Sequence, residues 1–147
     1  MTTKEKESYA ALLRTHGLKA TPQRVQVLGL LASARKPVSI SELQKKAEKS
    51  NEALDSVTLY RSLEMLVENS LARPVDLRHG HTDYELTAGR EHHHHIVCVK
   101  CGAIEDFEWC PEPDLEKKIL RNTKSFAKLT DHSLEFFGVC KKCITKN

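Results

Sequence analysis

Two Cys-x-x-Cys pairs, Cys98/Cys101 and Cys140/Cys143, bracket residues 102–139, and four consecutive histidines, His92 to His95, run directly into the first pair. Each pair suits a tight turn on which both sulfurs converge. Two such turns complete the tetrahedral four-sulfur shell that a structural Zn²⁺ takes. The spacing between the pairs is longer than in a minimal zinc ribbon. A metal there would tie together both ends of one small domain, which gains folding free energy from such a staple. Two redox-active pairs are the alternative. Runs of histidine are ordinarily terminal purification tags, but this one is internal and continues into Ile96-Val97-Cys98-Val99, a β-branched strand pattern. Alternation along a strand sends His93 and His95 to one face and His92 and His94 to the other.

The chain has 147 residues, 39% hydrophobic and 29% charged, enough for one compact domain or two small ones. It shows no apolar run long enough to span a bilayer and no signal peptide, so a soluble, cytoplasmic protein is expected. In that compartment the cysteine pairs read as metal ligands before disulfides; Cys110 is left over. The net charge of +3 announces no partner, but residues 1–50 hold ten Lys/Arg against four Asp/Glu, a clearly basic segment. Seven of the eight histidines fall between residues 79 and 132. Basic charge and metal chemistry therefore lie in different parts of the chain.

Periodicity predicts a helix over 4–16 ending at Gly17, and a second opened by Thr21 as N-cap and Pro22 at the first helical position. Ser39 and Glu42 have capping-box spacing for a short helix to Lys49. Asp55 or Ser56 caps a helix to about Asn69, with Leu59, Leu63, Leu66 and Val67 as its apolar stripe; Thr58, Arg61, Ser62 and Met65 fall away from that stripe. Strands at 71–76 and 83–86 flank a turn at residues 78–81. Helices followed by a two-stranded hairpin make a winged helix-turn-helix, in which the helix before the hairpin enters the DNA major groove. The rest reads as strand 93–99, strand 103–107, helix 113–122, strand 126–130 and strand 132–139. The fold class is α+β: a winged-helix DNA-binding domain over 1–86, then a small α/β domain over 87–147.

Imidazoles and carboxylates at His93, His95, Asp106 and Glu85 suit Fe²⁺, Mn²⁺ or Zn²⁺. Glu85 belongs to the hairpin and the others to the second domain, so a metal there would set the angle between domains. The alternative is a solvated polar strand. On the opposite face His92 and His94 could meet His132 and Glu116, or stand as ordinary surface groups. For DNA, Tyr60 and Arg61, with Thr58, lie on or near the exposed side of the presumed recognition helix, and Arg24 could hold a phosphate.

Thr21-Pro22-Gln23-Arg24, Ser56-Val57-Thr58-Leu59-Tyr60-Arg61, the His-rich strand with Cys98-x-x-Cys101-Gly102, His132-Ser133-Leu134-Glu135 and Cys140-x-x-Cys143 stand in an order that resembles the ferric uptake regulator family over nearly the whole chain. The resemblance implies a homodimeric, metal-activated transcriptional repressor that binds operator double-stranded DNA. Its winged helix would bind the operator, and its second domain would dimerise and hold metal. It also implies structural zinc at the four cysteines, a regulatory site at Glu85, His93, His95 and Asp106, and a second site at His92, His94, Glu116 and His132.

Two positions depart from the family pattern. Where many members carry a ligating histidine, this chain has Pro37, and His79 or His81 in the hairpin turn are the substitutes at hand; the alternative is that both are turn residues near DNA phosphates. His94 stands in place of a carboxylate. Iron is the expected regulatory metal, with zinc, peroxide and nickel or manganese responses as alternatives. A zinc-dependent enzyme is the rival class. It leaves the winged helix unexplained and lacks a base-bearing motif such as HExxH. No small-molecule substrate is expected.

Overall fold

The helices of the N-terminal half begin where the sequence supplies caps. In this computed structural model, which describes residues 1–50, 52–78, 80–90, 93–108, 114–130 and 132–145, α1 spans Thr3–Thr15, α2 Pro22–Ala32, α3 Ile40–Lys49 and α4 Ser56–Glu68. Capping boxes close the starts of α1 (Thr2 with Glu5) and α3 (Ser39 with Glu42). Thr21 accepts from the Arg24 N–H ahead of Pro22, and Asp55 Oδ1 accepts from Thr58 N at 2.9 Å. α1 ends at Gly17 with φ +73°, as the sequence predicts.

The strands are β1 (Val38–Ser39), β2 (Ala72–Val75), β3 (Asp83–Leu86), β4 (His94–Cys98), β5 (Ile104–Phe107) and β6 (Glu135–Gly138), with α5 at Leu115–Asn122 and α6 at Lys141–Ile144. They form two sheets, ordered β1-β3-β2 and β5-β4-β6. The chain divides into two compact units, Met1–Arg90 and Glu91–Asn147.

In the first unit α2 is the central helix. Val25, Gln26, Val27, Leu28, Gly29 and Leu31 are all buried, more of its circumference than one apolar stripe. Leu13, Leu43, Leu59, Leu63, Leu66 and Leu71 close around it. Ser62, read from periodicity as outward, is also buried. The wing is the antiparallel pair β2/β3, with Arg73 opposite Glu85 and Val75 opposite Asp83; β1 adds a short outer rung on β3. Residues 87–90, expected at the start of the second domain, bond to the first unit. Thr87 N donates to Leu71 O (3.0 Å), Thr87 Oγ1 to Ser70 O (2.8 Å) and Arg90 Nη2 to Ala34 O (2.7 Å).

In the second unit β4 is the central strand, antiparallel to β5 and parallel to β6. The strand expected over 126–130 does not form, and Phe126 is exposed. The strand expected over 132–139 shortens to Glu135–Gly138, and the last cysteine pair opens the short helix α6.

Candidate metal centres and nucleic-acid face

Two turns bring the cysteines together. After β4 the chain turns through Gly102, whose N–H donates to Cys98 O at 2.8 Å; its φ of +70° is the left-handed region where a side chain is strained. After β6, Cys140 precedes α6 and its carbonyl accepts from Cys143 N at 2.9 Å. The four sulfurs lie within 4.8 Å of one another, with Cys101 Sγ and Cys140 Sγ 3.7 Å apart. None of the four is in a disulfide. Cys140 N donates to Cys98 Sγ at 3.3 Å. That N–H, with those of Cys101 and Lys100, holds the Cys98 thiol down to about 6. Hydrogen bonding to Cys101 and Cys140 pushes Cys143 up to about 12. A set of four converging sulfurs fits a soft divalent cation that replaces the thiol protons. The donor set and its closed geometry match Zn²⁺.

The strand register sorts the histidines as alternation requires. His95 stands opposite Asp106 on β5 and beside Glu135 on β6, so these three share a sheet face. His95 Nε2 lies 3.6 Å from Asp106 Oδ1. The His93 ring meets the His95 ring edge-on with centroids 5.1 Å apart. His95 is almost fully buried, while Asp106 is exposed. Glu135 is engaged by the Ser133 hydroxyl.

On the other face, buried His94 packs against Phe107 (5.7 Å between centroids), Phe136 (6.5 Å) and His132 (5.5 Å). His94 and His132 are thus brought together. Glu116 is exposed in the first turn of α5, and among the described residues it joins no three-ligand cluster with them. His92, like His79 and Cys110, lies outside the described residues.

Glu85 belongs to the first unit, buried on β3. Arg73 Nε donates to its Oε1, and Arg90 Nη1 lies 3.6 Å from its Oε2. This two-arginine clamp was not read from the sequence; the only available signal was an opposite-charge pair, visible once the hairpin register is known. His81 sits with Nε2 3.4 Å from Oδ1 of buried Asp83. Pro37 is buried just before β1.

On α4, Tyr60 and Arg61 are exposed. Thr58 is not: it is half-buried and lines a cleft against α1 and α2, and its hydroxyl donates to Asp55 Oδ2 at 2.6 Å. The cap geometry turns the Thr58 hydroxyl back on Asp55. Arg24 is half-buried in the first turn of α2, with Nη1 donating to Lys19 O at 3.1 Å.

The model of the ferric uptake regulator family matches residues 15–137. The chain is 34% identical over 137 residues to the ferric uptake regulation protein of Legionella pneumophila, covering 89% of this chain and 95% of that one. It is 28% identical over 139 residues to the peroxide-responsive repressor PerR of Staphylococcus epidermidis, covering 95% and 90%. The solved Helicobacter pylori ferric uptake regulator, described as having three functional metal binding sites, superposes with a TM-score of 0.72 at 27% identity over 95% of this chain and 93% of that one. A winged helix joined to a small metal-binding sheet domain defines a metal-responsive transcriptional repressor. The chain belongs to the ferric uptake regulator family.

Proposed function

We propose that the protein binds operator double-stranded DNA as a homodimer when Fe²⁺ occupies a regulatory site made by His93, His95, Asp106 and Glu85. In this reading structural Zn²⁺ sits at Cys98, Cys101, Cys140 and Cys143. The observation that carries the proposal is the cross-strand pairing of His95 with Asp106, with the His93 ring beside it. Two imidazoles and a hard carboxylate oxygen suit a borderline divalent ion better than the soft four-sulfur shell does. Such a cation supplies fixed positive charge that draws these groups into one geometry. Glu85, from the wing, lets occupancy bias how the DNA-binding unit is held, since a ligand shifts only the states it contacts differently. The second site would use His92, His94, Glu116 and His132. His81, with His79, is the candidate to replace the ligand absent at Pro37.

Tyr60 and Arg61 would read base edges, and Arg24 would hold a phosphate. The name of the Legionella relative favours iron, while that of the Staphylococcus relative keeps peroxide sensing as the second reading; the short carboxylate at Asp106 favours the latter. We read the chain as a cytoplasmic binding protein and not as an enzyme. Among the described residues no helix is long and apolar enough to cross a membrane.

The test is anaerobic titration of the zinc-loaded protein with Fe²⁺, Mn²⁺ and Zn²⁺, followed at each step by affinity for a duplex enriched from a randomised pool. Affinity should rise as Fe²⁺ is added, with Zn²⁺ acting at lower and Mn²⁺ at higher concentration as their intrinsic affinities order them, and His93→Ala/His95→Ala should abolish the response while four-cysteine zinc stays bound. Binding that ignores added metal would contradict the proposal.

A further inference from the structure

The apolar residues of α4 differ in exposure, with Met65 and Val67 half-buried. Leu59, Leu63 and Leu66 are fully buried, whereas Val57 is 59% exposed. Helix propensity gives no reason for valine there: a β-branched residue loses side-chain freedom in a helix, and on a solvated turn it gains no core contact in return. Its neighbours are all committed elsewhere. Ser56 Oγ donates to Gln44 Oε1 on α3 at 3.1 Å. Thr58 bonds back to Asp55 and lines the cleft against α1 and α2. Val57 lies between these two directions and points outward. One turn further along, Tyr60 is 49% exposed, and Arg61 and Glu64 are exposed beside it. Residues 57, 60, 61 and 64 therefore form one continuous outward strip.

We propose that Val57 is a specificity-determining residue of the DNA-reading strip, its isopropyl group packing on the 5-methyl group of a thymine in the major groove. The inference rests on the reading of α4 as the recognition helix. The N-terminal residues of such a helix approach base edges. At this turn the two hydroxyls are already used within the protein, so the side chain left for the groove has neither donor nor acceptor. The one major-groove feature that such a side chain complements is the thymine methyl. Tyr60 and Arg61 would then supply the polar contacts, and Val57 would fix a thymine at one step of each half-site.

The experiment uses the full-length, metal-loaded protein and a duplex that it enriches from a randomised pool, with thymines replaced one at a time by deoxyuridine. That replacement removes only the methyl. At one position in each half-site it should weaken wild-type binding about fourfold, the worth of one buried methyl-sized group. Val57→Ala should weaken binding to the unmodified duplex by a similar factor and should then be indifferent to deoxyuridine at that position. Its zinc content and melting temperature should match wild type, since the residue is exposed. If Val57→Ala keeps the wild-type response to every deoxyuridine, or if no deoxyuridine affects wild type, the proposal is overturned. If Tyr60→Ala and Arg61→Ala bind the enriched duplex normally, the recognition-helix reading fails, and this proposal with it.

Discussion

The two units of this chain are held together by different physics. In the first, Leu13, Val27, Leu28, Leu43, Leu59, Leu63 and Leu66 are withdrawn completely from water around α2, and each contributes roughly 1.5–3 kcal/mol on burial. In the second, the buried residues among those described are His94, His95, Val97 and Cys98, and α5 buries none. Three of those four carry metal-ligating atoms. Within one protomer, a three-stranded sheet with so little buried apolar surface has less of the driving force that stabilises the first unit. What it has instead is a set of four sulfurs within 4.8 Å at the ends of its strands. The first unit is an ordinary hydrophobic domain, whereas the second gathers cysteine sulfurs and imidazoles where the first gathers leucines.

Breaking the second unit at its sulfurs should have the largest effect. Cys140→Ser removes one of the four sulfurs while keeping the backbone N–H that donates to Cys98 Sγ. Structural zinc contributes on the order of 10 kcal/mol to small domains, so this unit should unfold and zinc content should fall to zero. Amide resonances of 25–31 and 59–66 should remain dispersed. A variant that keeps its zinc and its second-unit resonances would contradict the comparison. Next in size is a break in the first unit. Leu63→Ala should cost about 2–5 kcal/mol in denaturant unfolding of that unit and leave zinc content unchanged. Loss of zinc along with stability would mean the two halves share one core.

Arg61→Ala should weaken operator binding by about 1–3 kcal/mol with both units folded and metal content intact. Fluorescence anisotropy against the enriched duplex measures it, and unchanged affinity would assign the wrong helix.

The smallest effect is at the α3 cap. Ser39→Ala should cost about 1 kcal/mol. The Ser39 backbone N–H holds the Glu42 carboxyl below its ordinary 4.5. A depressed carboxylate stabilises the fold above its unfolded pKa, and that contribution is lost as pH falls through the folded value. Ser39→Ala, which keeps that N–H, should leave an acid-side loss that Glu42→Gln removes. Denaturant midpoints measured across that range check both.

Much of this was legible in the sequence for local reasons. A capping box is a statement about three consecutive peptide bonds, so Ser39 and Glu42 announced the start of α3, as Thr21-Pro22 did for α2. The cysteine set was legible because sulfur pairs at this spacing have few other uses in such a chain. Alternation also placed His93 and His95 on the face of Asp106, a purely geometric consequence of a strand. What failed was what depends on neighbours. The pattern at 126–130 expresses only a willingness to pair, and the described sheet is made of β5, β4 and β6 without it. The two-residue β1 is too short to leave a period. The Thr58 hydroxyl is set by the cap on Asp55 and not by helix periodicity, and Ser62, expected outward, is buried because α4 is enclosed on more than one side.

The most direct test of the division is amide hydrogen exchange on the intact protein before and after zinc is removed by a strong chelator. We predict that residues 94–98, 104–107 and 135–138 lose protection and that 25–31, 43–47 and 59–66 keep theirs. Simultaneous loss in both sets, or protection of the second set without zinc, would contradict it.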